Sequence, residues 1–298
     1  MPAYAFVTVD VFTERRFGGN PLAVFTDARG LSDGDMQALA AEFNLSETTF
    51  VLPPDNPAHT ARVRIFTTAH ELAFAGHPNV GTGYVLAQQG RSQAGVMLFE
   101  EAAGLVEVRI EHGGDGSIEG ATITAPQPLS LGMTFPADLT AACIGLTPAD
   151  VVLAAHEPVL ASVGNPFMLI EVTADALSRA APDLGGFRQL ADTVPELEGR
   201  LDIYLYAHDA QDAGRIRARM FAPLMGIWED PATGSAATTL AALLLSLMEG
   251  TGCKFDILQG VEMRRPSLLR AAAHRSPDGI RASVGGRCVP MLRGEALL

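Results

Sequence analysis

Few side chains in this sequence stand where they could carry acid–base chemistry. Asp230 lies in WEDPATGSAATTLAALLLSLMEG (228–250), directly before a proline and a stretch of eighteen residues without a charge. Local rules favour a cap: aspartate at the N-cap followed by proline at the first helical position is a preferred helix start. A carboxylate there could instead move a proton, and local sequence leaves both roles open. Ser235, one turn further on, reads more readily as a helix hydroxyl bonded to a backbone carbonyl than as a nucleophile, because no GxSxG elbow surrounds it. His77 precedes Pro78 in a similar helix-opening turn, AGHPNVG, and occupies the place equivalent to Asp230. An imidazole and a carboxylate at matched helix starts suit an acid/base or ligand-holding pair. Glu47 in NLSETTFV reads, on spacing alone, as an exposed glutamate at the mouth of an apolar strand. His59, His112, His156, His208 and His274 read as loop or surface residues, and His70 as a loop residue near the site at best.

The elements that must position these groups form two sets. Tyr4 to Phe12, Pro21 to Phe25, Thr48 to Leu52, Ala61 to Thr67, Gly95 to Glu100, Leu105 to Glu111 and Gly120 to Ala125 alternate or are β-branched, and read as strands. Helices are expected at Asp33 to Phe43, Asn79 to Gln89, Ala137 to Ile144, Ala174 to Ser178, Gly185 to Thr193 and Pro231 to Met248. RVRIFTTAHELAFAGHPNVGTGYVLAQQG (62–90) and RARMFAPLMGIWEDPATGSAATTLAALLLSLMEG (217–250) share an order of parts, and GGNPLAVF (18–25) echoes VGNPFMLI (163–170). The two echoes have similar separations, so the halves read as a duplicated fold with a boundary near APQPLS. The expected domains are therefore residues 1–126, onto which the last residues of the chain could pack back, and 127–298. Leu72 to Gly90 and Pro231 to Met248 contain no Asp, Glu, Lys or Arg. A helix uncharged all round belongs inside protein, so each is expected to be the central helix of its own lobe, wrapped by strands. The fold class is α+β. The unsatisfied N–H groups of two buried helix starts, meeting at a cleft between the lobes, would suit a substrate carboxylate.

Composition narrows the partners. The 298 residues carry a formal charge of -13, a field that repels phosphate backbones and anionic lipid, so no nucleic acid and no membrane partner is expected. Cys143, Cys253 and Cys288 stand far apart without metal-ligand spacing, which points to a reducing compartment, no structural disulfide and no zinc. The longest apolar run, Leu240 to Leu245, is far short of the ~20 residues that a membrane-spanning helix needs. The N-terminus has no basic region or cleavage site, and the expected localisation is cytoplasmic. Neither a GxGxxG turn in strand–helix context nor GxxxxGK[ST] occurs, so nothing signals a nucleotide.

NPLAVF (20–25), NLSETTFV (44–51), ELAFAGHPNVGTGYVL (71–86), RMFAPLMGIWEDPATGSA (219–236), QGVEMRRPS (259–267) and ASVGGRCV (282–289), in this order, resemble the phenazine biosynthesis PhzF-like isomerase/epimerase family over nearly the whole chain. The resemblance implies a fold similar to diaminopimelate epimerase, with two pseudo-equivalent lobes, each a barrel-like sheet around a central helix, and an active site between them. It also implies isomerisation by proton transfer on a small anionic substrate, without metal, flavin, nicotinamide or pyridoxal phosphate, and a homodimer. By position, Glu47 looks like the general acid/base, with His77 and Asp230 holding and polarising the substrate and Ser235 adding a hydrogen bond. Gly76, Asn79, Thr233 and Gly234 look like substrate-binding positions, the glycines letting backbone N–H groups approach a carboxylate. Related epimerases place a cysteine at each helix start. None stands there here, which disfavours a two-cysteine racemase and favours a proton shift by one carboxylic acid. The rivals are a non-catalytic binding member that retains the cleft, and an epimerase using Glu47 and Asp230 on opposite faces. Thr68, Ala73, Asn79 and Arg264 depart from the residues common in the family. They bear on the substrate more than on the fold.

Overall fold

The computed structural model describes residues 2–92, 94–194 and 199–298. Two compact units divide the chain: residues up to Pro126 together with Val284–Leu298, and Gln127–Ser283.

The first unit is a curled sheet closed around a helix. Its elements are β1 (Ala3–Val11), β2 (Asn20–Phe25), α1 (Asp33–Phe43), β3 (Glu47–Leu52), β4 (Ala61–Phe66), a short β5 (Glu71–Leu72), α2 (Gly76–Gln88), β6 (Val96–Glu101), β7 (Gly104–His112) and β8 (Ile118–Thr124). Strand β1 pairs with β2, which runs parallel to β3; β3 pairs antiparallel with β4, which runs parallel to β6. From β6 the sheet continues through β7 to β8. The final strand of the chain joins β8 back to β1 and closes the ring.

The second unit repeats this pairing. Its elements are β9 (Ser130–Thr134), α3 (Ala137–Cys143), β10 (Val159–Ser162), β11 (Pro166–Glu171), α4 (Ala174–Arg179), α5 (Leu184–Asp192), β12 (Ile203–His208), β13 (Arg215–Ala222), β14 (Ile227–Asp230), α6 (Gly234–Leu247), β15 (Gly252–Gln259) and β16 (Ser267–Ser276), followed by β17 (Gly279–Leu297), the closing strand of the first unit. Antiparallel β10/β11, parallel β11/β12, antiparallel β12/β13, parallel β13/β15 and antiparallel β15/β16 reproduce the series from β1 to β7. The duplication read from two short sequence echoes therefore extends through five consecutive strand pairings.

Both uncharged helices are wrapped by their own sheets. Every residue from Gly76 to Ala87 is buried, and α2 packs on β1, β2, β3, β7 and β8. In α6 all residues from Ala236 to Leu245 are buried, against strands that include β10, β11, β15 and β16. The glycines of α2 make its close fit possible. A Cβ on Gly81 would lie 2.7 Å from Leu22 Cδ2 and 2.8 Å from Val11 Cγ2, and one on Gly83 would lie 2.5 Å from Val108 Cγ1. Crowding of that kind costs ~1–3 kcal/mol, more than the ~1 kcal/mol of helix propensity that alanine would add.

The helix starts differ from the sequence expectation. Helix α2 begins at Gly76 rather than Asn79, with Pro78 in its first turn, where the missing N–H costs nothing. Helix α6 begins at Gly234, with Thr233 as N-cap. Asp230 is therefore not the N-cap and Pro231 not the first helical residue: Asp230 ends β14, paired with Met220 of β13. The pseudo-equivalence shifts accordingly. Gly76 and Gly234 are both first helical residues and His77 and Ser235 both second, so His77 matches Ser235 rather than Asp230.

Candidate functional site

In the first unit, topology gathers the polar groups at one end of the barrel. The parallel strands β2 and β3 start at the same edge, with Asn20 and Glu47 as their first residues. Strand β4, antiparallel to β3, returns the chain to that edge, and β5 leads into the start of α2. His77, in the first turn, consequently meets Glu47: Nε2 lies 3.3 Å from Glu47 Oε2, with the two side chains 5% and 13% exposed. The approach is close but not aligned as a hydrogen bond. Burial pushes the His77 pKa down to about 3, so the imidazole is neutral at ordinary pH and the contact is not an ion pair. On its other side His77 Nδ1 is 3.3 Å from Asn20 Nδ2. Asn20, fully buried, had no role in the sequence reading, although it opens the NPLAVF motif.

The N-cap of α2, Ala75, has no side chain to bond the first N–H groups. Its carbonyl accepts a hydrogen bond from Asn79 Nδ2 at 3.0 Å, so Asn79 braces the turn that carries Gly76 and His77. Glu101, at the end of β6, lies beside Asn79. Desolvation raises its pKa to about 8, and the Asn79 amide offsets part of that rise.

This sets a pH dependence of known sign. Below the ordinary value of 4.5 both folded and unfolded chains hold the proton; between 4.5 and about 8 only the folded chain keeps it, so stability falls as pH rises. Glu101→Gln is expected to abolish that slope. It should match the wild type near pH 4 and exceed it near pH 9 by on the order of 2–4 kcal/mol, read by urea denaturation across pH. Parallel pH profiles for the two proteins would contradict this.

In the second unit the start of α6 is held by long-range contacts. Arg219 of β13 is buried and binds both Glu229 oxygens at 2.8 Å, fixing β14. Asp230 is buried and accepts the Thr233 hydroxyl at 2.5 Å. Gln259, at the end of β15, closes the turn. Its Oε1 accepts from Thr233 N at 3.1 Å, and its Nε2 donates to the Asp230 carbonyl at 2.8 Å and to Thr233 Oγ1 at 3.1 Å. Tyr204 Oη completes the set, donating to Gln259 Oε1 at 3.1 Å. Gly260 follows, where a Cβ would meet the Pro231 carbonyl at 2.6 Å. Thr233 gives α6 no side-chain cap, its hydroxyl being turned to Asp230. Ser235 is half-buried, and its carbonyl accepts the hydroxyls of Thr238 and Thr239.

Each unit thus presents a buried central helix whose N-cap bonds no N–H with its side chain, beside a buried or nearly buried carboxylate: Glu47 in one, Asp230 in the other. Such a start attracts an anion through its N–H groups and dipole. Among the described residues no cluster of three or more His, Cys, Asp or Glu is placed to hold a metal. The cysteines lie elsewhere, and burial raises the Cys143 pKa to about 12, leaving that thiol unreactive.

The family described as phenazine biosynthesis-like protein (PhzC-PhzF) matches residues 9–294. A trans-2,3-dihydro-3-hydroxyanthranilate isomerase of Pseudomonas aeruginosa is 37% identical over 298 residues, covering 99% of this chain and 100% of its own. An uncharacterized isomerase of Mesorhizobium japonicum is also 37% identical, covering 98% of each chain. The crystal structure of a Bacillus anthracis phenazine biosynthesis protein of the PhzF family superposes with a TM-score of 0.87 over 100% of both chains, at 23% identity.

Proposed function

From the premise that the chain belongs to the phenazine biosynthesis-like PhzC-PhzF family and is an isomerase, we propose that it moves a proton on a small carboxylate-bearing metabolite without a cofactor, Glu47 carrying the proton. The observation that carries this reading is the pairing of Glu47 with a neutral, buried His77 at 3.3 Å, at a helix start without a side-chain cap. A general base must be enclosed, oriented and within reach of its proton. Glu47 meets the first two conditions through its position at the start of β3 and against His77.

In this proposal each central helix start is an anion-binding element. In the first unit the N–H groups near Gly76 suit a carboxylate, with His77 polarising the substrate and Asn79 bracing the turn; in the second the N–H groups near Gly234 do the same, with Asp230 and Ser235 as polar contacts and Thr233 supporting the turn. The substrate of the Pseudomonas aeruginosa relative, trans-2,3-dihydro-3-hydroxyanthranilate, carries such a carboxylate and is the first candidate. Asn79 stands where threonine is common, so an analogue of that compound is the next. The working form is a cytoplasmic homodimer.

The test is incubation of the wild-type protein with trans-2,3-dihydro-3-hydroxyanthranilate and its analogues in D2O, followed by NMR. The expected result is isomerised product with deuterium at one carbon, unaffected by chelator. Binding of these carboxylates without any carbon-bound exchange would sink the proposal.

A further inference from the structure

We infer that Asn20 is a positioning residue that fixes His77 as the Nε2–H tautomer and so aims a neutral donor at the Glu47 carboxylate. This rests on the function proposed above for Glu47, but its own content is the placement of one proton on one ring.

The argument runs from both sides of the imidazole. Burial keeps the ring neutral, so one nitrogen donates and the other accepts. On the Nδ1 side stands the Asn20 amide, with Nδ2 at 3.3 Å. Its carbonyl end is engaged elsewhere, Oδ1 accepting the Ser46 hydroxyl at 3.3 Å. The end turned to His77 is therefore NH2, which has no lone pair to offer, and Nδ1 must be the acceptor. On the Nε2 side stands Glu47 Oε2 at 3.3 Å. As the acceptor of a substrate proton proposed above, Glu47 stands there as an acceptor, and an acceptor attracts an N–H and repels a ring lone pair. Both neighbours select the same tautomer, and each alone would leave it ambiguous, since an amide can be flipped end for end.

The relay Ser46 Oγ–H to Asn20 Oδ1, Asn20 Nδ2–H to His77 Nδ1, and Nε2–H toward Glu47 links β2, β3 and α2 at one edge of the barrel. It explains why a fully buried asparagine opens β2. In chemical terms, an N–H aimed at Glu47 matches a carboxylate that accepts a proton from substrate carbon, whereas the other tautomer would present it with a lone pair.

The experiment is a long-range 1H–15N correlation of the imidazole rings in protein labelled with 15N-histidine. The seven histidines are separated by assigning His77 through its loss in His77→Asn. In the wild type, His77 is expected to show a protonated Nε2 and a lone-pair Nδ1. Asn20→Asp turns the neighbour of Nδ1 into an acceptor, and the expected result is a proton on Nδ1, either by tautomer exchange or by formation of the imidazolium. The same variant should lose on the order of tenfold or more in kcat, with a smaller change in KM. Asn20→Ser, which retains a hydroxyl donor, should restore part of kcat.

A wild-type Nδ1–H tautomer overturns the inference even if no Asn20 variant folds. So does an unchanged His77 spectrum in a folded Asn20→Asp protein. The ring spectrum needs no turnover: if it is as expected while no substrate exchanges deuterium, the proposed function fails and the assignment of Asn20 stands.

Discussion

Replacing Glu47 by glutamine is expected to lower the rate of carbon-bound deuterium exchange by roughly 10²–10⁴-fold while substrate still binds. The magnitude follows from the chemistry removed. Glutamine has the shape of the acid and can face the same His77 edge, but it cannot take a proton from carbon and return it. The environment is otherwise spared: the side chain is the first of β3, and its main-chain pairing beside Leu22 of β2 does not depend on the carboxylate. The fall should therefore appear in kcat and kcat/KM together, with little change in KM or in the urea midpoint. Equal deuterium incorporation by Glu47→Gln and the wild type would remove Glu47 from the proton path. The alternative bearer of the proton would then be Asp230, whose carboxylate is already engaged by the Thr233 hydroxyl at 2.5 Å.

The parts of this site differ in how readily they could be read from the chain, for physical reasons. The two central helices were legible because a helix without a charge on any face must be enclosed by protein. The duplication was legible in part, because the strand-loop-helix segments around 62–90 and 217–250 retain their order of residue types. Strands β12, β15, β16 and the long β17 went unread. SLLRAAAHRS, the sequence of β16, is rich in strong helix formers, and its place beside β15 rather than its propensity makes it a strand. The start of α6 was misread for a similar reason. Aspartate before proline is a helix-opening signal only where nothing else competes for the aspartate. Here β13 claims its main chain and Thr233 its carboxylate, so the helix opens three residues later, at Gly234. Asn20 and Gln259 were invisible as functional residues because their partners lie 26 or more residues away, and no local pattern marks a buried amide that serves another element.

Gln259→Leu is expected to cost the protein ~3–6 kcal/mol, the largest stability change foreseen for a single polar residue of the site. Gln259 is fully buried and makes four hydrogen bonds, two accepted by Oε1 and two donated by Nε2. Leucine fills the volume but leaves the Thr233 N–H, the Asp230 carbonyl and the Tyr204 hydroxyl without these partners, and each orphaned buried group costs ~1–3 kcal/mol. Against a total stability of ~5–15 kcal/mol for a typical domain, that is a large share. The loss falls on the turn that presents Asp230 and opens α6, so substrate affinity should drop with stability and recover where ligand saturates the folded state. Gln259→Glu separates geometry from donor chemistry. Ionised, it can still accept from Thr233 and Tyr204, but it cannot donate to the Asp230 carbonyl, and it brings a second carboxyl close to Asp230. Its folded-state pKa should therefore rise above that of the unfolded chain, making the variant most stable in acid and progressively weaker as pH climbs through that interval. Urea denaturation of both variants at pH 5 and pH 8 decides the matter. A leucine variant within about 1 kcal/mol of the wild type would mean that the four bonds do not hold the turn.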